Sequence, residues 1–82
     1  MDLVVLTEYI VKGIIDNKDS VSVKEFETSD DNVIQIEVLV SNADLGKVIG
    51  KGGRTINSIR NVVQASASLN LKKRVRINVD SY

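Results

Sequence analysis

Residues 48–56 read Val48-Ile49-Gly50-Lys51-Gly52-Gly53-Arg54-Thr55-Ile56: an apolar pair, a loop of glycines and cations, and then apolar spacing again. Three of the chain's five glycines lie in this segment, and glycine permits positive φ values and a close approach to the backbone. Apolar residues share one helix face before the loop (Leu45, Val48 and Ile49) and after it (Ile56, Ile59, Val63 and Ala67). The segment therefore predicts two helices joined by a loop that can hold backbone N–H groups and positive charge against a phosphate.

Two other phosphate-binding loops do not fit the spacing. A Walker-type loop has the pattern Gly-x-x-x-x-Gly-Lys-Ser/Thr, whereas three residues separate Gly46 from the Gly50-Lys51 pair and Gly52 follows the lysine. A dinucleotide-binding fingerprint needs a small residue at position 55 and a strand before the loop. Position 55 is threonine, and the preceding residues are predicted to be helical, so both nucleotide-cofactor interpretations fail.

The charge of the chain is divided along its length. Lysine and arginine balance aspartate and glutamate overall, but residues 1–45 carry a net charge of −7 and residues 46–82 a net charge of +7. The glycine loop lies in the positive part. A surface that binds nucleic-acid phosphates requires such a charge, so the distribution supports the interpretation of the loop.

Hydrophobic periodicity predicts the element order helix, strand, strand, helix, helix, strand. The predicted elements are a helix over residues 3–15 capped by Asp2, strands over 21–28 and 34–40 around a turn at 29–32, a helix over 42–49, a helix over 54–69, and a strand over 74–79. No repeat or linker is present, and the chain is predicted to form one domain, residues 1–82.

The first helix carries two apolar stripes. One consists of Leu3, Leu6, Ile10 and Ile14, and the other, about 100° away, of Val4, Val11 and Ile15. This arc is wider than a single contact face needs. Either the small domain surrounds the helix on two sides, or the second stripe packs against a partner chain, and the sequence leaves both alternatives open.

Several functional classes are excluded by composition. The chain has neither cysteine nor histidine, which removes disulfides, thiolate zinc sites and imidazole catalysis. Its carboxylates are scattered, so we expect no metal site, no cofactor and no enzymatic activity. The start of the chain is acidic and its apolar stretch is interrupted by Thr7, Glu8 and Lys12, so we expect neither an export signal nor a membrane span, and a cytoplasmic protein.

The loop and its flanks resemble the KH domain, a nucleic-acid-binding module whose Gly-x-x-Gly loop clamps the backbone of about four nucleotides. The resemblance is carried by Ile49-Gly50-Lys51-Gly52-Gly53, by Ile56 and by Ile59-Arg60. The additional helix and strand come before the core, as in the type II, or prokaryotic, form of the family. The resemblance implies an α+β fold in which three helices cover one face of a three-stranded mixed sheet.

The same resemblance implies where single-stranded RNA would bind. Phosphates would contact the backbone of Gly50–Gly53. Gly50 and Gly53 would be required because a Cβ atom at either position would keep the phosphate away from the backbone N–H groups. Lys51 and Arg54 would add positive charge. Bases would meet an apolar floor beside a low wall at Gly46, without an aromatic stacking platform, so we expect modest affinity. The candidate RNA-binding residues are Leu45, Gly46, Lys47, Val48, Ile49, Gly50, Lys51, Gly52, Gly53, Arg54, Ile56 and Arg60.

Over its whole length the chain is similar to small bacterial RNA-binding proteins that consist of one KH domain. That similarity implies single-stranded RNA as the ligand, with DNA as an open second possibility, and a homodimer or a heterodimer with a larger KH-containing partner. It also implies a role as a post-transcriptional regulator or RNA chaperone that affects cell shape. The alternative is a protein-interaction module with little affinity for RNA.

Overall fold

The computed structural model describes residues 2–82 and contains the elements in the predicted order. The helices are α1 (Leu3–Lys12), α2 (Asn42–Ile49) and α3 (Arg54–Asn70), and the strands are β1 (Ser22–Phe26), β2 (Val33–Val40) and β3 (Arg74–Ser81). Short 3₁₀ turns lie at Lys18–Ser20 and Lys51–Gly53. The predicted type II order, α-β-β-α-α-β, is confirmed.

The three strands form one mixed sheet in the order β1-β2-β3. β2 lies in the centre, antiparallel to β1 and parallel to β3, so β3 is an edge strand. Alternate residues of β2 are buried, namely Ile34, Ile36, Val38 and Val40. Because successive side chains of a strand point to opposite faces, these residues form the face that the three helices cover.

Helix α1 is shorter than the predicted helix over residues 3–15. It ends at Lys12, and the N–H of Gly13 closes the last turn on the carbonyls of Tyr9 and Ile10. The backbone N–H groups of Asp16 and Asn17 donate to the carboxylate of Asp44 on α2. The chain therefore leaves the helical path, because these donors bond to a distant side chain instead of to the preceding turn.

The second apolar stripe of α1 lies inside the domain. Val11 is 1% exposed, Ile15 is 2% exposed, and Val4 packs against the core. The structure thus decides the question that the sequence left open: the small domain surrounds α1 on two sides, and the second stripe is not free to meet a partner chain.

Two strand ends differ slightly from prediction. β1 stops at Phe26 because Thr28 belongs to the following turn, where its hydroxyl accepts from the N–H of Asp30 and donates to the Asp30 carbonyl. β3 continues to Ser81, paired with Val40 of β2. The longer β3 extends the free edge of the sheet beside α2 and the glycine loop.

One charged side chain is buried in this small core. Asp44 is 1% exposed, and its carboxylate accepts from Asp16 N at 3.1 Å, Asn17 N at 2.9 Å and Ser41 Oγ at 3.1 Å. These bonds hold the segment after α1 to the first turn of α2. Because α2 ends at the glycine loop, Asp44 fixes the helix on which that loop depends.

Candidate nucleic-acid interface

Three glycines give the loop between α2 and α3 its shape. Gly50, Gly52 and Gly53 have φ values of 75°, 63° and 79°, a region that L residues other than glycine rarely adopt. Within residues 2–82, no side chain caps the start of α3, whose N-cap is Gly53. The loop therefore presents backbone N–H groups at the positive end of a 17-residue helix, an arrangement that suits an anion.

The glycines are needed for different reasons. A Cβ atom at Gly50 would lie 2.2 Å from Thr55 Oγ1 and 2.9 Å from Thr55 N, so glycine is required there by the packing of the loop on α3. From sequence, glycine was expected at position 50 because a phosphate needs the space. The collision with Thr55 is a second reason, and it lies within the chain itself. A Cβ atom at Gly52 would meet nothing within 4 Å, which leaves the space beside Gly52 open to a ligand.

Two cations flank the open side of the loop. Lys51 and Arg54 are exposed, and within residues 2–82 neither takes part in an ion pair, since the ion pairs there are Lys12–Glu8, Lys47–Asp16 and Lys47–Asp44. Both charges are therefore available to a ligand outside the chain.

A groove of about 490 Å³ lies next to the loop. Ile49, Ile56 and Arg60 line it on the helical side, and Glu37, Asn78, Val79 and Asp80 line it on the side of the sheet. The first three were predicted from sequence, and the last four were missed. The alternation in β3 is visible in sequence, but only the parallel pairing with β2 brings this end of β3 opposite α2.

The side chain of Arg60, which lines the groove, is fixed by hydrogen bonds to other residues of the chain. Its guanidinium donates to the Ile77 carbonyl from Nε at 3.2 Å and from Nη2 at 3.0 Å, and to Asn57 Oδ1 from Nη1 at 3.3 Å. These bonds join α3 to the free edge of β3. Arg60 therefore gives the groove a fixed, positively charged wall.

Other predicted site residues lie elsewhere. Val48 is 0% exposed and belongs to the core, because it faces the sheet rather than the groove. Lys47 lies on the opposite side of α2, where it ion-pairs with Asp16 and Asp44, so its charge is directed away from the groove. Leu45 is half-buried against the core, and Gly46 is exposed with open space where a Cβ atom would lie.

The comparisons with known proteins agree with this fold. The protein Era, crystallised with MgGDPNP and nucleotides 1506–1542 of 16S ribosomal RNA, superposes with a TM-score of 0.71 at 19% identity over 96% of this chain and 29% of Era. At this identity the similarity concerns the fold alone. The chain spans less than a third of Era, so it corresponds to one part of that protein.

Relatives named RNA-binding protein KhpA match at higher identity. The protein of Halalkalibacterium halodurans is 42% identical over 90% of this chain and 93% of its own length. The protein of Chlamydia trachomatis is 43% identical over 73% of this chain and 74% of its own. The protein of Streptomyces coelicolor is 48% identical over 71% of both chains.

A family model described as KhpA/KhpB, KH domain, matches residues 5–79. This is a family of KH domains and not of enzymes, in agreement with the prediction from composition. In the described residues, 2–82, no helix is long and apolar enough to cross a membrane. Since the family model matches nearly the whole chain, the protein belongs to the KhpA/KhpB family of KH-domain proteins.

Proposed function

We propose that this protein binds single-stranded RNA, with the RNA backbone at Gly50–Gly53 and the bases in the groove between the helices and β3. The observation that carries the proposal is the exposed, uncapped glycine loop with the free charges of Lys51 and Arg54, directly beside the groove. RNA, rather than another polyanion, is supported by the name RNA-binding protein that the relatives carry. The whole chain acts as one KH domain.

The phosphate contacts are made by backbone and charge. The N–H groups of Lys51 and Gly52 and the positive end of α3 attract a phosphate oxygen, and the two cations add long-range attraction. Gly46 leaves the adjoining wall of α2 without a side chain. Such contacts position a strand without distinguishing its bases.

The groove would hold the bases with limited affinity. Ile49 and Ile56 offer apolar surface, although Ile56 is only 6% exposed, and Arg60 offers charge. The residues that line the groove include no aromatic ring, and aromatic stacking contributes about 1–3 kcal/mol per base where it occurs. We therefore expect weak binding by a single domain.

Replacing Lys51 by alanine should weaken RNA binding about two- to fivefold, equally for all base sequences, since one phosphate contact is lost. The measurement is a fluorescence titration of a labelled 12-nucleotide RNA at two salt concentrations. Salt should weaken wild-type binding, with a slope of about −0.7 per neutralised phosphate. Lys24→Ala on β1, in the acidic part of the chain, is the matched control. Equal effects of the two variants, or binding that is insensitive to salt, would contradict the proposal.

Weak binding by one domain would be compensated by dimerisation, which doubles the number of contacts. Large apolar residues are exposed on the outer surfaces of α1 and α3, namely Val5, Tyr9, Val62 and Leu69. Residues 61–70 of α3 carry no charge, so two copies can approach through this surface without repulsion. These exposed residues support a homodimer that forms through the outer surfaces of α1 and α3. The second stripe of α1 cannot be the interface, because it is buried inside the domain.

We expect sedimentation equilibrium to give about twice the 9.0 kDa of the chain at a concentration on the order of 50 μM. The apparent molecular weight should fall on dilution if the dimer is weak. A 9.0 kDa species at every concentration would show that the apolar surface is not a homodimer interface, and would favour the heterodimer with a larger KH-containing protein.

A cytoplasmic role as a post-transcriptional regulator or RNA chaperone, with an effect on cell shape, is the cellular part of this proposal and rests on the family resemblance.

A further inference from the structure

A second group of cations lies at the end of α3 that is far from the glycine loop. Four of the five residues in 72–76 are basic, namely Lys72, Lys73, Arg74 and Arg76, and we call them the basic cluster. Lys73 is half-buried, and the other three are exposed. Within residues 2–82 none of the four takes part in an ion pair. The cluster therefore offers positive charge to an anion outside the chain.

The bonds of Gln64 fix the backbone that carries the basic cluster. Gln64 Nε2 donates to the Lys73 carbonyl at 3.0 Å, and the Val75 N–H donates to Gln64 Oε1 at 2.9 Å. Lys72 has a φ of 55°, in the left-handed region where glycine is the usual residue just after a helix. The chain thus carries a cation at a position where glycine would cause less backbone strain.

Stabilisation of α3 alone does not explain the cluster. Cations close to the C-terminal end of a helix interact favourably with its dipole, but the effect is confined to the last turn. This can account for Lys72, which follows the helix directly. Arg74 and Arg76 lie on β3, beyond the end of the helix, so their charges need another explanation.

A seam between α3 and the free edge of β3 leads from the glycine loop to the basic cluster. On α3, Ile56 and Arg60 line the groove beside the loop, and Gln64 and Ser68 line a second depression of about 460 Å³. Residues spaced four apart form one row along a helix. Three members of the basic cluster complete the second depression, namely Lys72, Lys73 and Arg74. The two depressions therefore follow one another along the seam.

From this juxtaposition we infer that a bound RNA strand continues from the groove along the seam, and that the basic cluster binds a second group of its phosphates. RNA is favoured over an acidic protein surface because the cluster is continuous with the proposed RNA groove. The inference rests on the proposed RNA binding and adds a second contact that only a longer strand can reach.

The length of α3 sets the length of RNA that is needed. Its 17 residues span about 25 Å at about 1.5 Å per residue. A stacked strand advances about 3.4 Å per nucleotide, so about seven nucleotides separate the two phosphate sites. Since a KH loop clamps about four nucleotides, a five-nucleotide RNA should reach the loop alone, whereas a 15-nucleotide RNA should reach both sites.

The test variant is the double substitution Lys72→Gly/Arg74→Ala. Lys73 is left unchanged because it also borders a depression lined by Glu27, Asp30 and Asp31, whose carboxylates offset its charge. The variant should fold, since glycine adopts the φ of position 72 and the strand bond of Arg74 is made by its backbone N–H to Asn32 O.

Fluorescence titration of labelled U15 RNA should show binding by the double variant that is about five- to twentyfold weaker than that of wild type, because two phosphate contacts are lost. The salt dependence should become shallower by about 1.4 in slope, which is about 0.7 for each phosphate. The affinity for U5, measured by NMR titration of the full chain, should stay within about twofold of wild type.

The matched control is Lys12→Ala/Lys24→Ala, which removes the same number of charges from the acidic part of the chain. It should change U15 binding by less than about twofold, because distant exposed charges are screened. In wild type, U5 should shift the backbone amide signals of residues 50–53, and U15 should in addition shift those of residues 72–76.

Three results would overturn the inference while the proposed function stands. They are U15 shifts confined to the glycine loop, U15 binding by the double variant equal to that of the control, and an equal loss of U5 and U15 binding. The first two would leave the basic cluster to an acidic protein surface. If neither RNA shifts the loop signals, the proposed function itself fails, and the inference fails with it.

Discussion

Replacing Gly52 by aspartate is expected to lower the affinity for single-stranded RNA by roughly 30-fold or more while the domain stays folded. A Cβ atom at Gly52 would meet nothing within 4 Å, and its φ of 63° and ψ of 19° lie in the left-handed region that aspartate and asparagine tolerate best among L residues. The new carboxylate would occupy the space proposed for a phosphate. Fluorescence titration measures the loss, and a thermal unfolding curve shows whether the fold is retained.

Gly52→Asn is the matched control, because asparagine has the same shape and the same backbone tolerance without the charge. Its affinity should fall much less than that of the aspartate variant. Gly50→Ala provides the opposite case, since its Cβ would collide with Thr55 and should lower stability together with binding. Wild-type affinity in Gly52→Asp would contradict the proposal that RNA phosphates contact this loop.

Asp44→Ala is expected to have the largest effect on stability. The substitution would remove the acceptor of two backbone N–H groups, Asp16 N and Asn17 N, and of the Ser41 hydroxyl. Partly buried donors that lose their acceptor destabilise the folded state strongly. For a domain of this size we expect the melting temperature to fall by about 10 °C or more. A fall of less than a few degrees would contradict the role given to Asp44.

The same carboxylate makes stability depend on pH. The N–H of Asn17 is the largest cause that lowers the pKa of Asp44 below its ordinary value of 3.8; burial opposes it, and Asp16 N–H, Ser41 and Lys47 also lower it. A carboxyl whose pKa is lowered by folding stabilises the folded state fully above its unfolded pKa. This contribution is lost as the pH falls through the lower folded value.

Thermal unfolding measured from about pH 7 down to about pH 2 should show wild type losing stability below the ordinary pKa of 3.8. Asp44→Asn keeps the shape of the side chain but cannot titrate, so it should be less stable at neutral pH and should change less in the acidic range. Parallel profiles of the two proteins would show that Asp44 does not contribute to the acid sensitivity.

Local features of this protein were largely predictable from its residues. The helix–loop–helix unit follows from glycines that permit positive φ between two apolar helix faces, and all three loop glycines have positive φ in the structure. The alternation of Ile34, Ile36, Val38 and Val40 correctly indicated a strand with one buried face. These predictions succeeded because each depends on a few neighbouring residues.

The orientations of individual side chains were less predictable. Val48 and Ile49 are adjacent and equally apolar, yet the first is in the core and the second lines the groove. From sequence, Lys47 was a candidate cation for RNA, but the carboxylate of Asp16, 31 positions away in the chain, holds it on the other side of α2. Asp16 is itself held by its N–H, which donates to Asp44, 28 positions away. Nothing within the α2 segment itself indicates these contacts.

The sequence by itself determined the order of the elements, the conformation of the glycine loop and the division of charge, because local periodicity and backbone preferences specify them. Only the tertiary structure decided that α1 ends at Lys12, that its second stripe is buried, and that Glu37, Asn78 and Asp80 complete the groove. The end of α1 depends on the bonds from Asp16 and Asn17 to Asp44 on α2. The groove depends on the parallel pairing of β2 with β3, which joins residues about forty positions apart, such as Glu37 and Asn78. Such a register arises when the whole core packs, so no short segment of the chain contains it.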